Sequence, residues 1–195
     1  MAAALVVAAW SVAGCSRSTS EEAPPDRPTD RGFVAALISS HDATVRLALD
    51  AQARAERPEL RSFARRMEVT RQREIGQLEA LGFSREELGL GPAPTTGGGL
   101  PPTVSPYDRA FIDAVVPRQQ DAVRAANRAI GDAEQARVKR LAERILDGQA
   151  CEIYELNRLR TAWHGLPSPA GDAPLAPRDL RRVNRRCRRL STTGG

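Results

Sequence analysis

The amino-acid sequence predicts an all-α fold, a four-helix bundle made from two tandem helix hairpins. Aromatic residues make up only 4% of the 195 residues, and Ala and Leu supply most of the apolar ones. The β-branched runs that are typical of strands are absent. Apolar residues instead recur at three- and four-residue steps, as they do on the buried face of an amphipathic helix. A chain of this length fits one domain with flanking segments.

An internal repeat predicts the two-fold organisation of the bundle. When Asp30 is aligned with Asp108, the two halves match without a gap, and identical residues coincide at Phe33 and Phe111, Glu74 and Glu152, and Ile75 and Ile153. Each copy breaks near its middle, at 56–58 and at 131–132, so each copy is predicted to form two helices. The four predicted helices span residues 30–56, 58–82, 106–130 and 133–163.

The N-terminal residues predict export. Residues 1–14 are predicted to be a signal peptide, because their apolar run is too short for a membrane-spanning helix, which needs roughly 20 residues. The end of this run, Val12-Ala13-Gly14-Cys15, resembles the bacterial lipobox, although no Lys or Arg precedes the run. We therefore expect acylated Cys15 to anchor the protein on the extracytoplasmic face of the cell membrane. An ordinary thiol at Cys15 is the alternative.

Polar segments delimit the predicted bundle at 30–165. The tether at 15–29 and the linker at 89–105, between repeats 30–88 and 106–165, are rich in Pro, Ser or Gly. Residues 166–195 contain Pro, Gly and then many arginines, which predicts a mostly disordered basic tail. Export would exclude nucleic acid as its partner and leave anionic lipid or an anionic wall polymer, with a solvated tail as the alternative.

Polar residues interrupt each apolar stripe at one level of the predicted bundle. They are His41 on the first helix, Arg71 and Glu74 on the second, Arg118 or Gln119 on the third, and Gln149 and Glu152 on the fourth. Inward carboxylates and a histidine on facing helices are the arrangement with which some four-helix bundles hold metal ions.

Several runs resemble a known family, the domain-of-unknown-function family numbered 305. The similar runs are residues 111–122, Leu141-Ala-Glu-Arg-Ile145, Gln149-Ala-Cys-Glu152-Ile153 and the closing Trp163-His164-Gly165. The resemblance covers both repeats, roughly residues 30–165. It implies a ferritin-like helical fold, export or lipid anchoring, and in some members the binding of copper or other metals.

The motif that the family places at this level is eroded in this chain, which is therefore similar to a degenerate member. The family pattern has Met-x-Pro-His-His on the first helix of each unit and Gln-x-x-Glu-Ile-x-x-Met on the second. The histidine positions hold Ser40 and His41 in one repeat and Arg118 and Gln119 in the other, and the methionine positions hold Leu37, Leu78, Val115 and Leu156. The candidate metal ligands that remain are His41, Glu74 and Glu152, with Gln149 as a weaker one.

Two interpretations of this level stay open, beside the alternative that these side chains point elsewhere than the stripes indicate. One imidazole and two carboxylates suit a divalent ion such as Zn²⁺, whereas Cu(I) prefers sulfur donors, which the motif positions lack. Alternatively, Arg71 and Arg118 neutralise Glu74 and Glu152, because a guanidinium fits a carboxylate well. Cys151 and Cys187 would be free to pair after export, but their spacing does not indicate it.

The sequence shows no catalytic apparatus. Neither a nucleophile triad nor a phosphate-binding Gly-Lys-Ser/Thr motif is present. We therefore expect a non-catalytic module with a binding or interaction function in the cell envelope, attached to the membrane by its lipid anchor and able to contact an envelope protein. The alternative is an envelope protein that binds copper or zinc. No other cofactor is expected.

Overall fold

The computed structural model describes residues 30–192, with side chains to residue 187, and every regular element in this range is a helix. The elements are α1 (Asp30–Arg54), α2 (Pro58–Glu79), α3 (Tyr107–Asp132), α4 (Ala136–His164) and α5 (Pro177–Thr192). Helix α1 packs on α2, α3 packs on α4, and the α1–α3 contact joins the two hairpins. This confirms the all-α fold and its four predicted helices. The predicted signal peptide and tether, including Cys15, lie outside the described residues.

The apolar stripes predicted for the helices form the core of the bundle. On α2, Leu60, Phe63 and Met67 are at most 2% exposed, and on α4, Ile145 and Leu156 are fully buried. Each buried apolar side chain of this size stabilises the fold by about 1.5–3 kcal/mol. Among the described helices, none is both long and apolar enough to cross a membrane.

Two aspartates cap helices of the opposite repeat. The carboxylate of Asp30, at the start of α1, accepts hydrogen bonds from the backbone N–H groups at 134–135, at 3.0 and 2.9 Å. The carboxylate of Asp108, at the start of α3, accepts the corresponding bonds from 56–57, at 2.8 and 3.1 Å. These N–H groups lie immediately before α4 and α2, where no helical carbonyl is available to accept from them. The repeats therefore complete each other's helix termini.

The linker between the repeats folds back along α1. The guanidinium of Arg54 donates to the carbonyl oxygens of Leu100, Pro101 and Pro102, at 3.2, 2.9 and 3.2 Å. Gly97 lies so close to α1 that a Cβ on it would come within 2.7 Å of the Asp50 backbone nitrogen. This close approach explains a glycine in the middle of the linker.

The predicted disorder of residues 166–195 is wrong for most of this segment. Residues 177–192 form α5, and the stretch before it is held against α3 and α4. Gln120 Nε2 donates to the carbonyl oxygens of Ala170 and Asp172, at 2.7 and 2.8 Å, and Asn157 Oδ1 accepts from the Ser168 N–H at 2.9 Å. These buried side chains satisfy loop carbonyl and N–H groups that a disordered tail would expose to water.

A disulfide attaches α5 to α4. Cys151 and Cys187 are bonded, with their Cα atoms 5.3 Å apart. Val183 and Cys187 are each 3% exposed, and Leu180 packs beside them against the core. Because arginines dominate the composition of this segment, this narrow apolar stripe was not predicted from the sequence. The pairing of the two cysteines, which their spacing leaves open, is therefore present.

Candidate functional site

A set of polar side chains crosses the middle of the bundle, and we call it the polar layer. Its members are His41 on α1, Arg71 and Glu74 on α2, Gln119 on α3, and Gln149 and Glu152 on α4. Four of them, His41, Arg71, Gln119 and Gln149, are 1% exposed. The repeat relates the members in pairs: His41 to Gln119, Arg71 to Gln149, and Glu74 to Glu152. The predicted position of these residues at one level is therefore correct.

Arg71 lies between the two carboxylates of the layer. Its Nη1 donates to Glu74 Oε2 at 2.7 Å, and its Nη2 donates to Glu152 Oε2. One guanidinium thus binds a carboxylate from each repeat, although α2 and α4 otherwise make few contacts. Charge-assisted hydrogen bonds of this kind are roughly twice as strong as neutral ones. Arg71 is therefore the central connection of the layer.

His41 and Gln119 occupy equivalent positions and approach equivalent carboxylates. Gln119 Nε2 donates to Glu152 Oε2 at 2.6 Å. His41 Nε2 lies 2.9 Å from Glu74 Oε2, within hydrogen-bonding distance. Each carboxylate is thus contacted by Arg71 and by a side chain from the first helix of its own repeat.

The two carboxylates have opposite pKa shifts. Burial alone would raise the pKa of Glu74, but the contacts with His41 and Arg71 outweigh it and hold that pKa below its ordinary value. Burial raises the pKa of Glu152, and the charge on Glu74 adds to this effect against the opposing charge of Arg71. Two carboxylates that share one guanidinium cannot both be fully compensated, so the one less well compensated keeps its proton more readily.

The pKa values of His41 and Arg71, the basic members of the layer, are also shifted from their ordinary values. Burial and the charge on Arg71 hold the pKa of His41 below its ordinary value, against the contacts with Glu74. For Arg71, burial alone would lower the pKa, but the charges of Glu152 and Glu74 raise it. At neutral pH the layer therefore contains a charged guanidinium beside a neutral imidazole.

Three buried atoms of the layer find no hydrogen-bond partner among the side chains and backbone of residues 30–187. They are Arg71 Nε, Gln119 Oε1 and Gln149 Nε2. Buried polar atoms without partners are uncommon in native proteins, and each one costs stability. Such atoms are a cost that apolar packing does not carry, which distinguishes the layer from ordinary core packing.

The interpretation that Arg118 neutralises a glutamate is wrong. Arg118 is exposed, and its Nη1 donates to the Ala114 carbonyl oxygen of its own helix at 2.8 Å. Gln119, one position further along α3, points inward in its place, because neighbouring helix positions differ by about 100° in direction. Gln119 is the second of the two residues for which the sequence predicted an inward orientation. A single arginine, Arg71, therefore serves both glutamates.

The layer in this arrangement does not fit a metal ion. His41, Glu74 and Glu152 do lie in one layer, but the Arg71 guanidinium lies between the two glutamates. A guanidinium has no acceptor atom and stays protonated, so it is not a metal ligand. Within residues 30–187, no three His, Cys, Asp or Glu side chains come together closely enough to hold a metal ion. The role of these residues as ligands, with Gln149 as a fourth, stays a prediction.

Two other charged contacts, both partly buried, were not anticipated from the sequence. The Arg160 guanidinium binds Asp113 through two hydrogen bonds, at 2.7 and 3.0 Å, and also donates to the carbonyl oxygens of Leu166 and Pro167, each at 2.7 Å. Arg85 donates to Asp42. Charged residues spaced along an amphipathic helix give little signal of such contacts, because their partners are distant in sequence.

The fold and the polar layer define a class of protein: a helical bundle duplicated from one hairpin, with a polar level in its core. The chain belongs to the DUF305 family, whose sequence profile, described as "Domain of unknown function (DUF305)", matches residues 16–82 and 108–187. The family resemblance inferred from the motifs is thereby confirmed.

Solved structures of CopM share this fold. CopM in the apo form is 27% identical, with a TM-score of 0.60 over 70% of this chain and 99% of that chain. CopM in the Cu(I)-bound form is 26% identical, with a TM-score of 0.59 over 70% and 99% of the two chains. CopM in the Ag-bound form obtained by soaking is 26% identical, with a TM-score of 0.61 over 72% and 100%. Comparison with curated protein sequences found no match.

Proposed function

We propose that the protein is an exported, lipid-anchored module with a binding or interaction role in the cell envelope and no catalytic role. In this proposal Arg71 supplies, from within the chain, the positive charge that the two buried glutamates require. The observation that carries this structural use of the layer is the contact of one guanidinium with both Glu74 and Glu152. Export and the lipid anchor are proposed from residues 1–15.

The chemistry of the layer supports a structural use of these residues. Arg71 is 1% exposed and both of its terminal nitrogens are engaged by carboxylates. A metal ion that used both glutamates would have to displace this side chain from the core. Removing one partner of a buried ion pair typically costs about 3–5 kcal/mol, so the displacement would consume much of the binding energy of a metal ion.

The second candidate function is metal binding, with copper first. It is favoured by the similarity to CopM, whose solved forms include Cu(I)-, Cu(II)- and Ag-bound ones. His41, Glu74 and Glu152 are the side chains of this chain that would serve, with neutral His41 offering a ring nitrogen. A mixed nitrogen and oxygen donor set suits Cu(II) better than Cu(I).

Arg71→Gln separates the two candidates. The substitution places at position 71 the residue that the second repeat carries at Gln149, and it removes the guanidinium from between the carboxylates. The chain beginning at Ser16 would be purified without an affinity tag as wild type, Arg71→Gln, His41→Ala and Arg160→Gln. Arg160→Gln is the matched control, because it removes a buried, carboxylate-bound arginine outside the layer. Metal content and titrations with Zn²⁺, Cu²⁺ and Cu⁺ would be followed by mass spectrometry.

The proposal expects no stoichiometric metal in the wild type and in Arg160→Gln, and a gain of divalent metal binding in Arg71→Gln. Stoichiometric binding by the wild type that His41→Ala abolishes would contradict the proposal and establish the second candidate. Binding by the wild type that is unaffected by His41→Ala would assign a metal function to a different part of the chain.

A further inference from the structure

Helix α5 has two chemically different faces. Leu180, Val183 and Cys187 lie on the face toward α4, with Val183 and Cys187 each 3% exposed. The disulfide to Cys151 fixes this face covalently. The helix is therefore docked on the bundle with a defined orientation, unlike an arginine-rich tail that samples many conformations.

Arginines occupy the opposite face of α5, and we call this set the arginine face. Its exposed members are Arg178, Arg181, Arg182, Arg185 and Arg186. Arg186 pairs with Asp147 at 2.5 Å, and Arg182 lies 3.8 Å from Asp179. Within the part of the chain that the structure describes, Arg178, Arg181 and Arg185 form no ion pair, so three guanidinium groups on successive turns face solvent together.

We propose that the arginine face binds the phosphate groups of an anionic phospholipid membrane. The inference goes beyond the proposed function, because it uses none of the residues of the polar layer. Guanidinium groups bind phosphate oxygens in pairs of parallel hydrogen bonds, and arginine is the preferred residue for this contact. Successive helical turns place these groups about 5.4 Å apart along one line.

The shape of the face favours a membrane over a phosphate polymer. A single convex helix presents its arginines along one edge, which suits a flat surface that carries many equivalent headgroups. A polymer strand would be better held by a positively charged groove. The predicted lipid anchor at Cys15 would keep this face within reach of the bilayer. Because α5 is already ordered, little conformational entropy is lost on contact.

The test is the binding of the chain beginning at Ser16, which keeps all five helices but has no acyl chain. Its disulfide would be verified by mass before use. Sedimentation would be measured with vesicles of phosphatidylglycerol mixed with phosphatidylcholine, with vesicles of phosphatidylcholine alone, and with soluble polyphosphate as competitor at equal phosphate concentration. The variant changes Arg178, Arg181 and Arg185 to Gln. The matched control changes Arg65, Arg73 and Arg140 to Gln, because these are exposed arginines on α2 and α4 with no ion pair among the described side chains.

Each arginine at an anionic membrane surface is worth about fivefold in affinity, so the triple variant should bind the mixed vesicles roughly a hundredfold more weakly. The control variant has the same net charge as the triple variant, and it should lose much less affinity for the mixed vesicles. Equal losses in the two variants would overturn the proposal in favour of a non-specific charge effect. Failure of the wild type to bind the mixed vesicles would overturn it outright. Tight binding of polyphosphate without vesicle binding would overturn it in favour of a polymer partner.

Discussion

The carboxylates of Asp30 and Asp108 cap helices in each other's repeat, with Asp30 holding the start of α4 and Asp108 holding the start of α2. The two aspartates are equivalent in the internal repeat, and so are the backbone groups they bind. A hairpin on its own would lack the cap of its second helix. The duplication therefore forms one interlocked unit, whose halves depend on each other for complete helix termini.

Replacing Asp108 by Ala should lower the free energy of unfolding by about 1–3 kcal/mol. The change removes a fully buried carboxylate that accepts two backbone hydrogen bonds, and it leaves those donors without partners. Urea denaturation measures the effect, and Asp30→Ala should behave similarly. The control is Asp121→Ala, at a carboxylate that is 71% exposed. Equal stability of Asp108→Ala and Asp121→Ala would show that the cross-repeat caps contribute nothing.

Replacing Arg71 by Met should destabilise the protein by about 3–5 kcal/mol, because two buried carboxylates lose their shared cation. The triple change of Arg71, Glu74 and Glu152 to apolar residues should recover most of that loss, since it also removes the groups left uncompensated. Thermal and urea denaturation compare the variants. The matched single change is Arg124→Met, which breaks an exposed ion pair with Asp121 and should cost less than about 1 kcal/mol. If Arg71→Met costs no more than Arg124→Met, the layer does not depend on this ion pair.

Stability should decrease as the pH falls below the ordinary pKa of His41, which is 6.5. Burial holds the pKa of His41 below that value, so on acidification the unfolded chain takes up the proton before the folded chain does. The stability that neutral His41 contributes is therefore fully present above pH 6.5. It is lost below that pH, by up to about 1.4 kcal/mol per pH unit. The raised pKa of Glu152 acts in the opposite direction, because the folded chain keeps that proton to higher pH.

The measurement is the free energy of unfolding from about pH 7 to about pH 5, the range in which a histidine changes its charge. His41→Gln copies the residue at the equivalent position 119 and removes the titrating group. It should flatten the pH dependence, while Glu152 remains in both proteins. The same slope in His41→Gln and in the wild type would assign the pH dependence to other residues.

Replacing Cys187 by Ser should release α5 from the bundle without unfolding it. The covalent bond to Cys151 is removed, while the core of α1–α4 keeps its contacts. Trypsin cleaves after arginine, so the variant should be cut within 177–192 much faster than the oxidised wild type. Limited proteolysis with mass spectrometry locates the cuts. Reduction of the wild type should reproduce the effect, and equally slow cleavage in all three samples would mean that non-covalent packing alone holds α5.

Much of the fold could be predicted from the sequence, because apolar periodicity reports directly on which face of a helix is buried. The stripes through Leu60, Phe63 and Met67 on α2 predicted both the helix and its buried side. The polar layer was predictable for the same reason, since His41, Arg71 and Glu152 interrupt those stripes. The repeat places equivalent residues of the two halves at the same height in the bundle, so these polar residues share one level.

What could not be predicted depended on contacts between distant residues or on small rotations. The order of 166–176 comes from Gln120 and Asn157, whose bonding to a loop leaves no periodic signal. Arg118 and Gln119 are adjacent on α3, so a rotation of about 100° decides which of the two side chains points inward. Helix α5 was missed because two buried residues on one face, Val183 and Cys187, are outweighed in composition by the arginines around them.

The disulfide also imposes an order on the maturation of the protein. Helices α1–α4 contain most of the buried core, to which α5 adds Val183 and Cys187. The covalent attachment of α5 has to wait for an oxidising environment, because reducing compartments keep such thiols apart. Protein kept in a reducing compartment and protein moved to an oxidising one would therefore be the same chain in two states, which differ in how firmly the last helix is held.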